Sequence, residues 1–217
     1  AVYGHVPALI GCRWRAPAVA AAEAQAPRAI GAHVAWLRRH GRPAPAEGEP
    51  VEVRLMPPQA LATEGPLAYV LESDRQPAPP AEREQWLALM GCARVDLLAL
   101  ARDIPAALLD HTPAPAAWSV RQVLEHVARA ERWLVSRLAP LGGLPEVDAT
   151  RDVWQRLEDA RALAVETLCG LGAEQCAGEW LVDGELWTVR KVCRRLIEHE
   201  LEHVAHVAEV GGAIRNA

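Results

Sequence analysis

The sequence predicts an α+β chain whose C-terminal part is an all-α four-helix bundle. Three observations predict it. Four segments keep the apolar period of a helix with one buried face, at about residues 81–104, 119–138, 150–171 and 188–210. Loops marked by Pro and Gly separate them, as in a bundle of neighbouring helices. Ahead of them, the Pro-rich stretch Ser73 to Pro80 stops both helix and sheet, because proline fixes φ and removes a backbone donor. The expected organisation is a small α+β domain over 1–72, a linker over 73–80 and the bundle over 81–217.

In chain order, Val2 to Arg15 alternates weakly around a Pro-Ala-Leu-Ile-Gly-Cys turn. Ala18 to His40 reads as a helix, with Ala22, Ala26, Ala29, Ile30, Val34 and Leu37 at helical spacing and Gly41 as its stop. A soft stretch rich in Pro, Gly and Glu runs from Arg42 to Pro50. Val51 to Met56 and Leu67 to Leu71 are short strand candidates. The segment V-P-A-L-I-G-C, the A-A-E-A helix and its exit L-R-R-H-G-R-P-A-P resemble the HicB-like antitoxin fold over about fifty residues. No DNA-binding tail follows them, so the antitoxin role does not carry over.

Beyond the linker, Trp118-Ser119-Val120-Arg121-Gln122-Val123 is echoed by Trp187-Thr188-Val189-Arg190-Lys191-Val192. Both place a hydroxyl where an N-cap acceptor holds the first free amides, and Ser119 with Gln122 fits a capping box. The second and fourth bundle helices therefore open with the same device and occupy comparable places. Asp183-Gly184, just ahead of the fourth helix, reads as a tight turn.

Composition narrows the function classes. Charged residues make up 24% and the hydrophobic set 51% of 217 residues, which is globular. No apolar run approaches the roughly 20 residues of a membrane span, and no leader pattern opens the chain, so the expected location is cytoplasmic. A net charge of -5 gives no electrostatic grip on a phosphate backbone, which disfavours nucleic acid as a partner. Five scattered cysteines without a C-x-x-C pair read as reduced, small apolar residues.

Histidine carries the chemistry. At about 100° per residue, Val189, Cys193, Leu196, Val204 and Val207 form the core arc of the fourth helix. His203 lies inside that arc and His199 at its margin, one turn apart on one side. His206 falls toward the polar side. On the second helix His126 lies beside the arc of Val120, Val123, Leu124, Val127, Leu134 and Leu138. A buried imidazole without partners costs about 1–3 kcal/mol, and three that converge on a cation remove that cost. Three protein ligands would leave a position open for water or substrate, as in catalytic sites. A single histidine at a core margin is more often simply hydrogen-bonded. His199-Glu200-Leu201-Glu202-His203 also fits the H-E-x-x-H string of zinc proteases, but no partner sheet and no later third ligand accompany it.

Glu131 and Glu200 fall in the core arcs of the second and fourth helices. Each reads either as an acceptor behind a metal-bound imidazole or a general base, or as a structural partner for an Arg, a Trp or a helix end. Their correspondence in the Trp-Ser/Thr echo favours the structural reading, because the histidines do not repeat. Trp133 and Trp154 read as packing aromatics.

The strings A-W-S-V-R-Q-V-L-E-H-V-A-R-A-E-R-W and W-T-V-R-K-V-C-R-R-L-I-E-H-E-L-E-H resemble the DinB/YfiT-like metalloenzyme superfamily over about residues 81–210. That resemblance implies a four-helix bundle with one divalent metal ion held by His126, His199 and His203. It also implies a thiol-dependent S-transferase or hydrolase chemistry on a small-molecule substrate, with a low-molecular-weight thiol as cofactor, and a homodimer. All-imidazole sites accept zinc, nickel, iron or copper, so the sequence does not select the metal. The alternative is a non-enzymatic stress or regulatory protein, whose bundle binds metal for stability or sensing and whose N-terminal unit binds a partner.

Overall fold

The computed structural model describes residues 1–46, 69–114, 117–138 and 150–215. Among the described residues the elements run β1 (Val2–His5), β2 (Arg13–Ala16), α1 (Val19–Arg39), α2 (Pro80–Arg102), α3 (Val120–Ser136), α4 (Val153–Gly170), α5 (Ala173–Ala177), β3 (Trp180–Val182), β4 (Glu185–Trp187) and α6 (Val189–Arg215). The four bundle helices are α2, α3, α4 and α6; α2 packs along α6, and α3 along both α4 and α6. Together with the N-terminal hairpin this is the α+β chain with a helical bundle that the sequence predicts.

The hairpin forms where the alternation is weak. β1 and β2 pair antiparallel with Val2 opposite Ala16 and His5 opposite Arg13. The turn between them is closed by Leu9 N–H to Val6 O at 2.8 Å and Cys12 N–H to Leu9 O at 2.8 Å, with Gly11 at φ +91°. α1 continues through Pro27, which lies on its exposed side. It ends in a Schellman arrangement: Gly41, at φ +61°, donates to Arg38 O at 3.0 Å, and Arg42 donates to Leu37 O at 2.8 Å. The strand candidate Val51 to Met56 lies outside the described residues, as do positions 67 and 68 of the second; Tyr69 to Leu71 enters no strand.

The Pro-rich stretch carries no long element, yet it is held down firmly. A short 3₁₀ turn spans Glu72–Arg75 and buries Asp74. Ala78 N–H donates to Cys176 O at 3.0 Å, and Thr188 Oγ1 donates to Asp74 O at 2.7 Å. α1 shares an apolar cluster with the bundle: Trp36 and Leu37 are buried with Trp86, Met90, Leu134, Trp187 and Ile197. Trp36 Nε1 also donates to Asp96 Oδ2 of α2 at 2.8 Å.

The helix starts follow the expected caps. Ser119 Oγ accepts from Gln122 N–H at 3.2 Å while Gln122 Oε1 accepts from Ser119 N–H at 2.9 Å; Thr188 Oγ1 accepts from Lys191 N–H at 3.1 Å. Asp152 caps α4 by accepting from Gln155 N–H at 3.0 Å, so that helix begins at Val153 rather than at 150. Asp183 and Gly184 both have positive φ, +54° and +79°, and join β3 to β4; the two-residue turn with two left-handed positions suits the twist of a hairpin. α6 runs past the expected end at Val210, through Gly211 and Gly212 to Arg215. A Cβ at Gly211 would stand 2.8 Å from Ile104 Cδ1, so glycine here permits close packing instead of stopping the helix. Among the described residues no helix is long and apolar enough to cross a membrane.

Two apolar clusters fill the bundle. One holds Met90, Ala93, Leu134, Ala164 and Leu196; the other holds Leu97, Val123, Ala128, Leu157 and Val207. Between them in register lies a charged layer with one residue from each bundle helix. Glu131 accepts from Arg94 Nη2 at 2.6 Å and from Arg161 Nε at 2.5 Å. Glu200 accepts from Arg94 Nε and from Arg161 Nη2. The spare guanidinium nitrogens donate to Leu157 O at 2.8 Å and to Met90 O at 2.6 Å. Burial works against the charge on Arg94, but the Glu200 and Glu131 carboxylates outweigh it and raise its pKa. Buried charges of this kind are tolerated only when paired and hydrogen-bonded throughout, and these are.

Candidate metal centre

α3 and α6 cross so that His126 faces His199 and His203. His126 Nε2 and His199 Nε2 are 3.0 Å apart. The ring centroids are 4.9 Å apart for His126 and His199, 4.8 Å for His126 and His203, and 4.5 Å for His199 and His203. One nitrogen from each ring lies within 4.8 Å of the other two, and all three residues are half-buried. The pair on α6 is close because residues four apart share a helix face; the third ring arrives through the packing of α3 on α6.

The three rings are neutral near pH 7. Burial, reinforced by His203 and His126, pushes His199 down to about 2. Burial, with His126 and His206 adding to it, pushes His203 down to about 4. Burial, then Arg129 and His206, also lowers His126. A neutral imidazole keeps a lone pair, which is the form a metal ion takes.

The donor set fits a divalent ion. Nitrogens bound tetrahedrally at about 2.0–2.1 Å from one ion stand about 3.3 Å from each other, close to the His126–His199 separation. The Nδ1 of His203 is buried and has no hydrogen-bond partner, an orphaned atom of the kind that costs about 1–3 kcal/mol when left unmet. His126, His199 and His203 are thus the residues that could hold one ion.

Further rings wall the site. Trp118 lies parallel to His203, 2° between planes and 6.4 Å between centroids, and edge-on to His126 at 5.0 Å. His206 stands 5.7 Å from His203 and 5.9 Å from Trp118. The two tryptophans of the sequence echo therefore diverge: Trp187 is fully buried in the core, and Trp118 is 39% exposed over the imidazoles. Sequence reasoning placed Trp118 only as a neighbour of a cap. Its position follows from how far α3 is rotated against α6, which no local pattern encodes.

Glu131 and Glu200 sit in the charged layer, and each of their carboxylate oxygens accepts from Arg94 or Arg161. Neither is hydrogen-bonded to His126, His199 or His203. Their arginine partners were visible in the sequence as charges in core register: Arg94 between Met90 and Leu97, and Arg161 between Leu157 and Ala164. Trp133 packs edge-on against Trp187 at 5.6 Å, with Arg137 4.6 Å over its ring. Trp154 flanks the second apolar cluster.

Comparison with known proteins adds a family. A search of curated proteins finds no match. Among solved structures, the chain is similar to TT2238, whose crystal structure is described as that of a four-helix bundle protein, at 23% identity. The alignment covers 62% of this chain and 99% of that one, with a TM-score of 0.42. The family match begins at residue 92 and does not bear on the HicB-like resemblance of the N-terminal segment. Residues 92–207, which include all three converging histidines and most of the bundle, match the DinB superfamily, and the chain belongs to that superfamily.

Proposed function

We propose that the chain is a divalent-metal-dependent enzyme acting on a small molecule, of thiol-dependent S-transferase or hydrolase type. The observation that carries this reading is the convergence of three neutral, half-buried imidazoles from α3 and α6 beneath Trp118. Three ligands rather than four leave a position for an exchangeable group, which is the donor count of catalytic rather than structural sites.

The chemistry a bound ion supplies here is acidification of a thiol or of a water, so that it attacks an electrophile near neutral pH. The protein's own part is positional. The α6 backbone fixes His199 and His203 one turn apart, and the capped start of α3 fixes His126. Trp118 covers one side of the rings and presents an aromatic face to a substrate. His206, beside His203, is placed to exchange a proton with a leaving group. Zinc, nickel and iron all suit the imidazole set.

Metal-loaded protein assayed with a low-molecular-weight thiol and a set of electrophiles tests the proposal. Turnover that disappears in His203→Ala while the fold is retained supports it. Metal uptake with no turnover across thiol and hydrolytic substrates instead supports a bundle that uses metal for stability or sensing.

A further inference from the structure

Trp118 and Trp187 stand at the same place in two helix starts, just ahead of the cap hydroxyls of Ser119 and Thr188. Trp187 is 0% exposed, edge-on to Trp133 at 5.6 Å and with the Lys191 ammonium 4.0 Å over its ring. Trp118 is 39% exposed. A single exposed apolar side chain is ordinary. What sets Trp118 apart is the company it keeps.

Its ring neighbours are all imidazoles. His126 stands edge-on at 5.0 Å, His203 lies parallel within 2° at 6.4 Å, and His206 is tilted by 33° at 5.9 Å. Two of these belong to the converging trio. Trp133, the other exposed tryptophan, has Arg137 4.6 Å over its ring. Among the described residues no guanidinium or ammonium lies over the Trp118 ring, so no cation of the chain occupies its π face. The backbone beside it is pinned. Ser119 N–H donates to Gln122 Oε1 at 2.9 Å, and Ser119 Oγ accepts from Gln122 N–H at 3.2 Å. An accessible, rigidly based indole therefore stands against the imidazole site.

We propose that this site takes a planar, electron-poor aromatic electrophile, stacked on the indole of Trp118. The inference rests on the transferase reading of the site and names the class of its substrate. An indole face is electron-rich, and offset stacking favours a ring whose π density is drawn off by substituents. The same substituents make a ring carbon open to attack. A ring stacked parallel to the indole also lies parallel to the His203 plane, so one contact sets orientation as well as binding. With an aryl halide, the thiol sulfur forms the C–S bond, halide leaves with the carbon–halogen electron pair, and the thiol proton passes to water.

Three neutral compounds that do not react test the stack on metal-free full chain: 2-(2,4-dinitroanilino)ethanol, 2-phenoxyethanol and 2-(cyclohexyloxy)ethanol. Isothermal titration gives the affinities, and difference absorption reports the long-wavelength charge-transfer band of an indole–dinitrophenyl stack. The dinitro compound is expected to show the band and to bind at least about tenfold more tightly than the cyclohexyl compound, with 2-phenoxyethanol between them. Trp118→Leu should lose band and preference with helical circular dichroism unchanged. Trp118→Phe should keep part of the preference, because a smaller ring still stacks, and Trp133→Leu should keep the band. No binding of the dinitro compound at millimolar concentration overturns the proposal. So does equal binding of the dinitro and cyclohexyl compounds, or a band that survives Trp118→Leu. The measurement needs no metal and no turnover. A band that depends on Trp118, in protein whose zinc-loaded form turns over no aryl halide, upholds the aromatic site and contradicts the transferase reading.

Discussion

Arg94 Nη2 of α2 donates to Glu131 Oε2 of α3 at 2.6 Å, with both side chains buried, in a layer that divides the bundle's two apolar clusters. With Arg161 and Glu200 it closes a four-membered ring of alternating charge. Removing one member leaves an odd buried charge. Arg94→Met is expected to destabilise the fold by about 3–5 kcal/mol. The double variant Arg94→Met, Glu200→Met leaves the Glu131–Arg161 pair intact and should lose clearly less than the sum of the single changes. Urea unfolding of the single and double variants measures both; additive losses would show that the four groups do not act as a unit.

His33 gives the fold an acid-sensitive element. Its pKa is about 4 in the folded chain against 6.5 for the free side chain. The unfolded chain therefore takes up the proton first, and stability is intact above pH 6.5 and falls as pH drops toward 4. Between pH 7 and about pH 4.5 this amounts to about 2–3 kcal/mol. His33→Phe should lose correspondingly less stability over that interval than the wild type. The readout is urea unfolding at the two pH values, and equal losses in the two proteins would contradict the assignment.

Thiol reactivity should follow burial. Burial pushes Cys12 and Cys193 up to about 12, and both are enclosed; a thiol of that kind presents almost no thiolate near neutral pH. Cys169 is exposed. Mass spectrometry after brief iodoacetamide treatment of the folded protein should find Cys169 modified first and Cys12 and Cys193 last. Early labelling of Cys193 would mean that the α5–α6 region opens readily.

The two echoed caps should differ in weight. Ser119→Ala removes one cap hydrogen bond and should cost about 1 kcal/mol. Thr188→Ala removes the cap of α6 and also leaves the buried Asp74 carbonyl without its Oγ1 donor, adding about 1–3 kcal/mol. Thermal or urea unfolding of both variants ranks them; equal losses would mean that the Asp74 bond contributes nothing.

Much of this was legible in the sequence because it is written in local periodicity. The four bundle helices, the Schellman end at Gly41, the Ser119 box and the Asp183-Gly184 turn each follow from a few adjacent residues. The approach of His199 and His203 also follows from one helical turn. What escaped depends on how separate elements meet. The fourth bundle helix was expected to end at Val210, whereas α6 runs on through Gly211, where contact with Ile104 makes a glycine useful. The swing of Trp118 over the imidazoles depends on the rotation of α3 against α6. The Arg94 and Arg161 charges stood in core register, but their pairing with Glu131 and Glu200 requires all four helices in place. His33 is enclosed only because the hairpin packs between α1 and α6.

The central claim is that His126, His199 and His203 together bind one divalent ion. It is tested most directly by equilibrium dialysis of tag-free protein against zinc, nickel or ferrous ion, followed by elemental analysis, for the wild type and for His126→Ala, His199→Ala and His203→Ala. The account predicts about one ion per chain in the wild type and a large loss of affinity in each variant, with helical circular dichroism unchanged, because every ring supplies one of three ligands. Wild-type loading in His126→Ala would contradict it, since the ring from α3 would then play no part in holding the ion.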